Sequence, residues 1–414
     1  LSGMGQTWIA IGLGIGYAVS WIFMAPRLRR FSIAAGDSIT IPQYLTNRFL
    51  SKNKSLQILS AVIFLVAYTI YAASSIKACG TLFHTVMDVN PTVAMYIAAF
   101  IIVAYTFLGG FSAVCWTDFF QGMIMLAALL VAPLFALALA KAGDGAVAGA
   151  TLPEGFFNFF TTPQDIISGL GWGLGYFGMP HIIIRFMSLK SEKELRKSSV
   201  IGISWTTIIL IMSALTAVAG RLYLGEIDDP STVFITMVRR IFPALVSGLL
   251  LSAILSAAMS TADSQLLAAS SAFASDVYKP VIRKKASDSE MLWAGRIVVI
   301  VIAVVALMIA SDPNSGSIMG LVENAWGVFG AAFGPVILLS LFWKRLTFGG
   351  TVAGIAAGAA VDILWLVFLS STDIYEIVPG FAAGLLAAVV VSLLSKGPGK
   401  DVEDLFDRAV DLKS

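Results

Sequence analysis

The feature that most limits what this chain can become is the recurrence of apolar runs about 20 residues long, the length at which an α-helix crosses a bilayer core. Eleven such runs are read near 6–26, 56–82, 92–109, 115–140, 164–187, 198–224, 241–278, 290–310, 315–343, 348–371 and 376–395. Hydrocarbon offers backbone groups no partner, so each run must satisfy its own hydrogen bonds and become a helix. The composition agrees, with 58% hydrophobic and 13% charged residues, against about 25% charged in soluble domains. A soluble fold of this size has no core able to hide that much apolar surface. The sequence predicts an all-α polytopic membrane protein, with a transmembrane unit over 1–396 and a short polar tail over 397–414. The seventh run is too long for one span and is expected to continue past the membrane.

Basic residues decide the orientation, because they accumulate on the cytoplasmic side. If the first run enters the cell, the inner connections hold 20 Lys and Arg and the outer connections and helix ends hold 5. The first inner connection alone carries Arg27, Arg29, Arg30, Arg48, Lys52 and Lys54. The expectation is an external N-terminal end, a cytoplasmic C-terminus and residence in the cytoplasmic membrane. On this topology Cys79 and Cys115 fall toward opposite membrane faces and cannot pair, since a disulfide needs α-carbons within about 7 Å. No metal-ligand spacing, nucleophile–base pair or phosphate loop is present, so no enzyme is expected. Nothing points to nucleic acid or to an obligate protein partner.

Polar groups and broken helices at membrane depth are costly, so they mark candidate sites. The fifth run reads SGLGWGLGYFGMPHIIIRF, in which Gly169, Gly171, Gly173, Gly175 and Gly178 precede Pro180. Such a segment can open its backbone to a ligand, and on an α-helix Trp172, Tyr176 and Pro180 share one face. Equally, the glycines can serve close helix packing, with the aromatics filling the gaps.

The seventh run reads LLSAILSAAMSTADSQLL, with Ser252, Ser256, Ser260 and Ser264 every fourth residue. Hydroxyl and carbonyl oxygens suit a sodium ion, and Ser260 with Thr261 is the best pair of candidates. A helix-packing stripe reads the same way. Between the third and fourth runs, YTFLGGFSAVCWTDFFQ suggests a helix end at Gly109-Gly110 and places Asp118 in the first turn of the next helix. There it either complements the helix N-terminus or takes part in ion passage. Asp362 lies mid-span in the tenth run, where it is expected to face a neighbouring helix; His84 and His181 have no evident partner.

These stretches also carry a family resemblance. WIAIGL, ITIPQYLTNRF, TIYAAS, YTFLGGFSAVCWTD, GWGLGYFGMPHIIIRF, LLSAILSAAMSTADSQLL with SDVYK, and AWGVFGAAFGPV appear in order. With them the chain resembles the sodium/solute symporters, most closely their proline branch, from residue 1 to about residue 396. The resemblance implies two inverted five-helix repeats with extra C-terminal helices and sites at the midplane on broken helices. It implies that Tyr71, Trp172, Tyr176 and Pro180 surround L-proline, that Ala257, Ser260 and Thr261 hold Na+, and that Asp118 links to sodium coupling. It further implies about two spans preceding WIAIGL, which this chain does not contain. Asp263 and Glu323 stand where relatives commonly have uncharged residues. The function expected is sodium-coupled uptake of L-proline by alternating access. Pantothenate or another small solute, and a transporter-like sensor, are the alternatives.

Overall fold

The computed structural model describes residues 3–145 and 152–411, which contain helices and connections but no strand. Nine helices among the described residues are long and apolar enough to cross a membrane. They belong to a bundle whose elements are α1 (Thr7–Val19), α2 (Ala25–Ala34), α3 (Ile41–Arg48), α4 (Ser55–Met87), α5 (Pro91–Ala142), α6 (Pro163–Gly171), α7 (Pro180–Met187), α8 (Glu192–Leu224), α9 (Val233–Ile241), α10 (Ala244–Ala272), α11 (Asp288–Ser311), α12 (Ile318–Phe342), α13 (Phe348–Phe368), α14 (Ile377–Leu394) and α15 (Lys400–Asp411). This is a multi-pass membrane protein. Its first span runs on through a π-helical turn at Ser20–Met24 that joins α1 to α2. The seventh run continues as a π-helix over Phe273–Ile282, so this helical stretch reaches from Ala244 to Ile282.

The third and fourth runs differ from expectation. Their backbone is helical in one element, α5, and the expected helix end at Gly109-Gly110 falls among residues whose side chains are not described. The stretches over 91–107 and 114–142 nevertheless both reach the same end of α4. Pro91 and Met95 sit against Gly80 of α4, while Ala132 and Ala136 of the other stretch share a cluster with Leu82 of the same helix. Tyr105 and Asp118, one from each stretch, both reach the same two turns of α10. Asp118 thus spends its carboxylate oxygens on side chains of other helices.

Packing depth separates the helices by role. In α12, 78% of the most apolar stretch is buried, against 11% in α8, so α12 is a central strut and α8 faces lipid. Close approach needs small residues where no hydrophobic force draws helices together. Gly12 and Gly16 of α1 interlock with Gly169 and Gly173 of the broken fifth span, and a Cβ at any of the four would collide with the facing backbone. The packing role of these glycines is thus realised.

At the end rich in basic residues, here the basic face, α15 lies across α2 and α3. Arg48 is fully buried among Phe31, Phe49 and Phe406 and donates to the carbonyls of Val402 and Ser340. Burial pushes Tyr44 up to about 12, which keeps its hydroxyl protonated beside Ser340 Oγ at 2.9 Å.

Candidate functional site

The break in the fifth span follows from local sequence. Thr162 caps α6 in a capping box with Asp165. After Gly171 the chain tightens into a 3₁₀-helix over Trp172–Phe177. Met179 is extended, as a residue before proline prefers, and Pro180 opens α7 at a position where its missing N–H costs nothing. The 3₁₀ turn revises one expectation. With three residues per turn, Trp172 and Tyr176 no longer share a face but diverge by about 120°.

Tyr176 turns toward Tyr17 of α1, with ring centroids 5.1 Å apart, and meets the edge of Trp326 at the same distance. Trp172 turns the other way, against Tyr375 at 5.0 Å, and its carbonyl accepts from Trp326 Nε1 at 2.9 Å. Tyr17, Tyr176, Trp326, Trp172 and Tyr375 form a continuous layer of rings across the bundle.

On one side of that layer lies a cavity of about 220 Å³ lined by Tyr17, Trp21, Tyr71, His181, Arg185, Ser260, Thr261 and Ser264, among others. It shares His181, Arg185 and Ser264 with a second cavity, of about 380 Å³, whose other walls include Arg29, Asp37 and Thr40 near the basic face. On the other side of the layer, a third cavity of about 570 Å³ contains Tyr375. The first two cavities thus adjoin one another toward the basic face, and the third lies at the Tyr375 end of the ring layer.

The structure brings Tyr71, Ser260 and Thr261 onto one cavity and places Tyr176 on Tyr17 at its wall. Pro180 adjoins the lining residue His181, Ala257 lies one turn along α10 from Thr261, and Trp172 lies one ring further off. Asp118 accepts from Ser260 Oγ at 2.5 Å, from Ser264 Oγ at 3.3 Å and from Arg185 Nη2 at 2.6 Å. Arg185 also donates to Ser264 Oγ at 3.1 Å. Nearby, Tyr105 donates to Asp263 Oδ2 at 2.7 Å and to the carbonyl of Met259 at 3.1 Å. The donor set here is all oxygen, two carboxylates and several hydroxyls, the chemistry that suits a hard monovalent cation. Among the described residues no three His, Cys, Asp or Glu side chains converge as a metal cage.

Sequence reasoning missed Tyr17, Trp21 and Arg185 as parts of this site, whereas Ser264 belongs to the hydroxyl stripe read in the seventh run. Two aromatics in an apolar run look like lipid-facing or core residues, and only the π-turn and the packing of α1 on the 3₁₀ segment turn them inward. Arg185 carried the one available signal, a cation at membrane depth. His181 had no evident partner in the sequence; its backbone N–H donates to Tyr68 Oη at 3.0 Å and its ring lies beside those of Tyr68 and Tyr71.

Comparison with known proteins places this geometry. The sodium:solute symporter family model matches residues 1–358. The high-affinity proline transporter PutP of Bacillus subtilis is 42% identical, over 100% of this chain and 89% of that one. A sodium/proline symporter of Haemophilus influenzae is 44% identical over 99% and 85% of the two chains. Among solved structures, a Na+-coupled sialic acid symporter in a substrate-bound outward-open state aligns with TM-score 0.70 and 18% identity, covering 96% of this chain and 92% of that one. MhsT in complex with L-phenylalanine aligns with TM-score 0.54 and 14% identity, covering 95% of each. These two likenesses establish a shared transporter fold, and the match to the family model establishes the lineage: this chain belongs to the sodium:solute symporter family.

Proposed function

We propose that this protein takes up L-proline together with sodium by alternating access, and that its basic face, with the C-terminus, is cytoplasmic. The observation that carries this reading is that Tyr71, a candidate for the solute, and Ser260 and Thr261, candidates for the ion, line one cavity of about 220 Å³. That is below the ~300–1,000 Å³ of drug-sized pockets and suits a small zwitterion. Names of relatives at 41–44% identity, among them the osmoregulated proline transporter OpuE, support the substrate.

In this reading Tyr71, Tyr176 and Pro180 enclose the apolar ring of proline, Trp172 backs them through the aromatic layer, and Ala257, Ser260 and Thr261 supply sodium with carbonyl and hydroxyl oxygens. Asp118 accepts the proton of the Ser260 hydroxyl and so leaves that oxygen's lone pairs free for the ion. Arg185 neutralises Asp118, so that a carboxylate in the bundle is not left unpaired. The aromatic layer is the outer closure, and the connected cavities are the release path to the cytoplasm.

The driving force is sufficient. One sodium ion crossing about 100 mV gains about 2.3 kcal/mol, and a tenfold gradient adds about 1.4 kcal/mol. Together these support accumulation of about 500-fold. Uptake of labelled proline into vesicles should require an inward sodium gradient, with excess unlabelled pantothenate failing to compete. Uptake indifferent to sodium, or pantothenate outcompeting proline, would overturn this reading.

A further inference from the structure

Asp362, in α13, has 0% of its surface exposed, and neither carboxylate oxygen has a hydrogen-bond partner among the described residues. Glu376, immediately before α14, is 6% exposed and its Oε1 is likewise unpartnered. The two carboxylates meet over Gly327 of α12. A Cβ placed on that glycine would lie 2.9 Å from Asp362 Oδ1 and 3.4 Å from Glu376 Oε1. The absence of a side chain at Gly327 therefore lets oxygens from two other segments converge where a methyl group would clash.

Burying a carboxylate without a partner is expensive, and a second one beside it raises the cost, so the pair takes up positive charge, as a proton or as a cation. No basic side chain supplies that charge. Neither residue belongs to an ion pair among the described residues. Glu376 opens onto the cavity of about 570 Å³ at the opposite face, whose lining includes Asp165, Glu323 and Asp373 and no Lys or Arg. An acidic vestibule of this kind concentrates cations at its floor.

We propose that Asp362 and Glu376 bind a hard cation, sodium or calcium, taken from that vestibule and distinct from the ion at Ser260 and Thr261. Carboxylate oxygens are the ligands such ions take, with water completing the shell. Only two carboxylates converge here rather than the three or more of a metal cage. The ion is accordingly an exchangeable one that keeps part of its hydration on the vestibule side.

The position gives the site a use. Glu376 follows Tyr375, whose ring lies on Trp172, whose hydroxyl donates to the carbonyl of Glu323 at 2.9 Å and whose N–H donates to Ser168 Oγ at 2.9 Å. A cation holding Glu376 to Asp362 fixes the loop that carries Tyr375, and with it the aromatic layer. Cation concentration at the opposite face thereby biases closure of that layer.

Terbium is a suitable probe, because a hard cation close to Trp326 and Trp365 is sensitised by exciting tryptophan. The full-length protein, purified in sodium-free buffer, should give terbium emission that excess calcium or sodium displaces; whichever displaces it at lower concentration identifies the natural ion. Asp362→Asn and Glu376→Gln should each weaken terbium binding by about tenfold or more, since the charge and number of ligands set affinity. Gly327→Ala keeps both carboxylates but drives a methyl group against them, so it should abolish emission even if the other two variants fold poorly. Asp407→Asn, at an exposed carboxylate on α15, should leave emission intact. Absence of emission from the unaltered protein, emission retained in Gly327→Ala, or loss in Asp407→Asn alone would each refute the site.

Discussion

Ser260 of α10 donates its hydroxyl to Asp118 of α5 across 2.5 Å, joining the residue expected to hold the ion to the residue expected to couple it. The two are 142 positions apart in the chain. The contact uses the hydroxyl's proton and leaves its lone pairs free, so Ser260 can ligate sodium while it still donates to Asp118.

Replacing Ser260 or Thr261 by alanine should therefore raise the sodium concentration for half-maximal uptake. A hydrogen bond or ligand contact to a charged group is worth about 1.5–3 kcal/mol, or roughly ten- to hundredfold. Saturating sodium should restore most proline affinity, because coupling between sites is reciprocal. Ser252 bonds only the carbonyl of Leu249 in its own helix, at 2.7 Å, so Ser252→Ala is the control. Unchanged sodium dependence in both Ser260→Ala and Thr261→Ala, at normal membrane levels, would remove the ion from α10.

The divergence of Trp172 and Tyr176 separates two defects. Tyr176→Ala should raise the proline concentration for half-maximal uptake with little change for sodium, a loss of about 1–3 kcal/mol of apolar contact. Trp172→Ala should resemble Tyr375→Ala, because those rings stack on each other, and the double variant should be little worse than either single one. Additive effects of Trp172→Ala and Tyr375→Ala on uptake would place Trp172 outside the aromatic closure.

Orientation can be tested on single-cysteine variants. Cysteines placed at Lys193 and Lys284 should react with an impermeant reagent only from the cytoplasm, and one at Asp229 only from outside. Reaction of all three from one side would break the alternation of spans.

Arg48→Ala should loosen α15. It leaves the Val402 and Ser340 carbonyls without their donor and removes the cation from three phenyl rings, a change costing about 3 kcal/mol. Limited proteolysis should then cleave near 395–400 much faster than in the unaltered protein. An unchanged rate would mean that Phe406 and the Lys344–Asp407 pair, 2.6 Å apart, suffice to hold the helix.

The sequence by itself determined the solvent, the secondary structure and the parts list. Apolar runs of span length leave only helices as a way to satisfy the backbone. Met179-Pro180 and the glycines before it mark where one helix must break, because proline removes a donor and constrains its neighbour. The oxygen-rich turn at Ser260-Thr261 and the carboxylate at Asp118 were legible as residue types, with packing and capping equally open.

Only the tertiary structure brought those parts together. Asp118 of α5 spends its oxygens on α10 and α7, a relation that no local spacing contains. The 3₁₀ turn rotated Trp172 away from Tyr176, since i, i+4 neighbours share a face only at 3.6 residues per turn. Asp362 seemed merely to face another helix; that it meets Glu376 over Gly327 depends on how α12, α13 and α14 pack. Periodicity reports which face of a helix is apolar, whereas a site is made by faces of different helices, and their mutual placement is fixed by non-local packing.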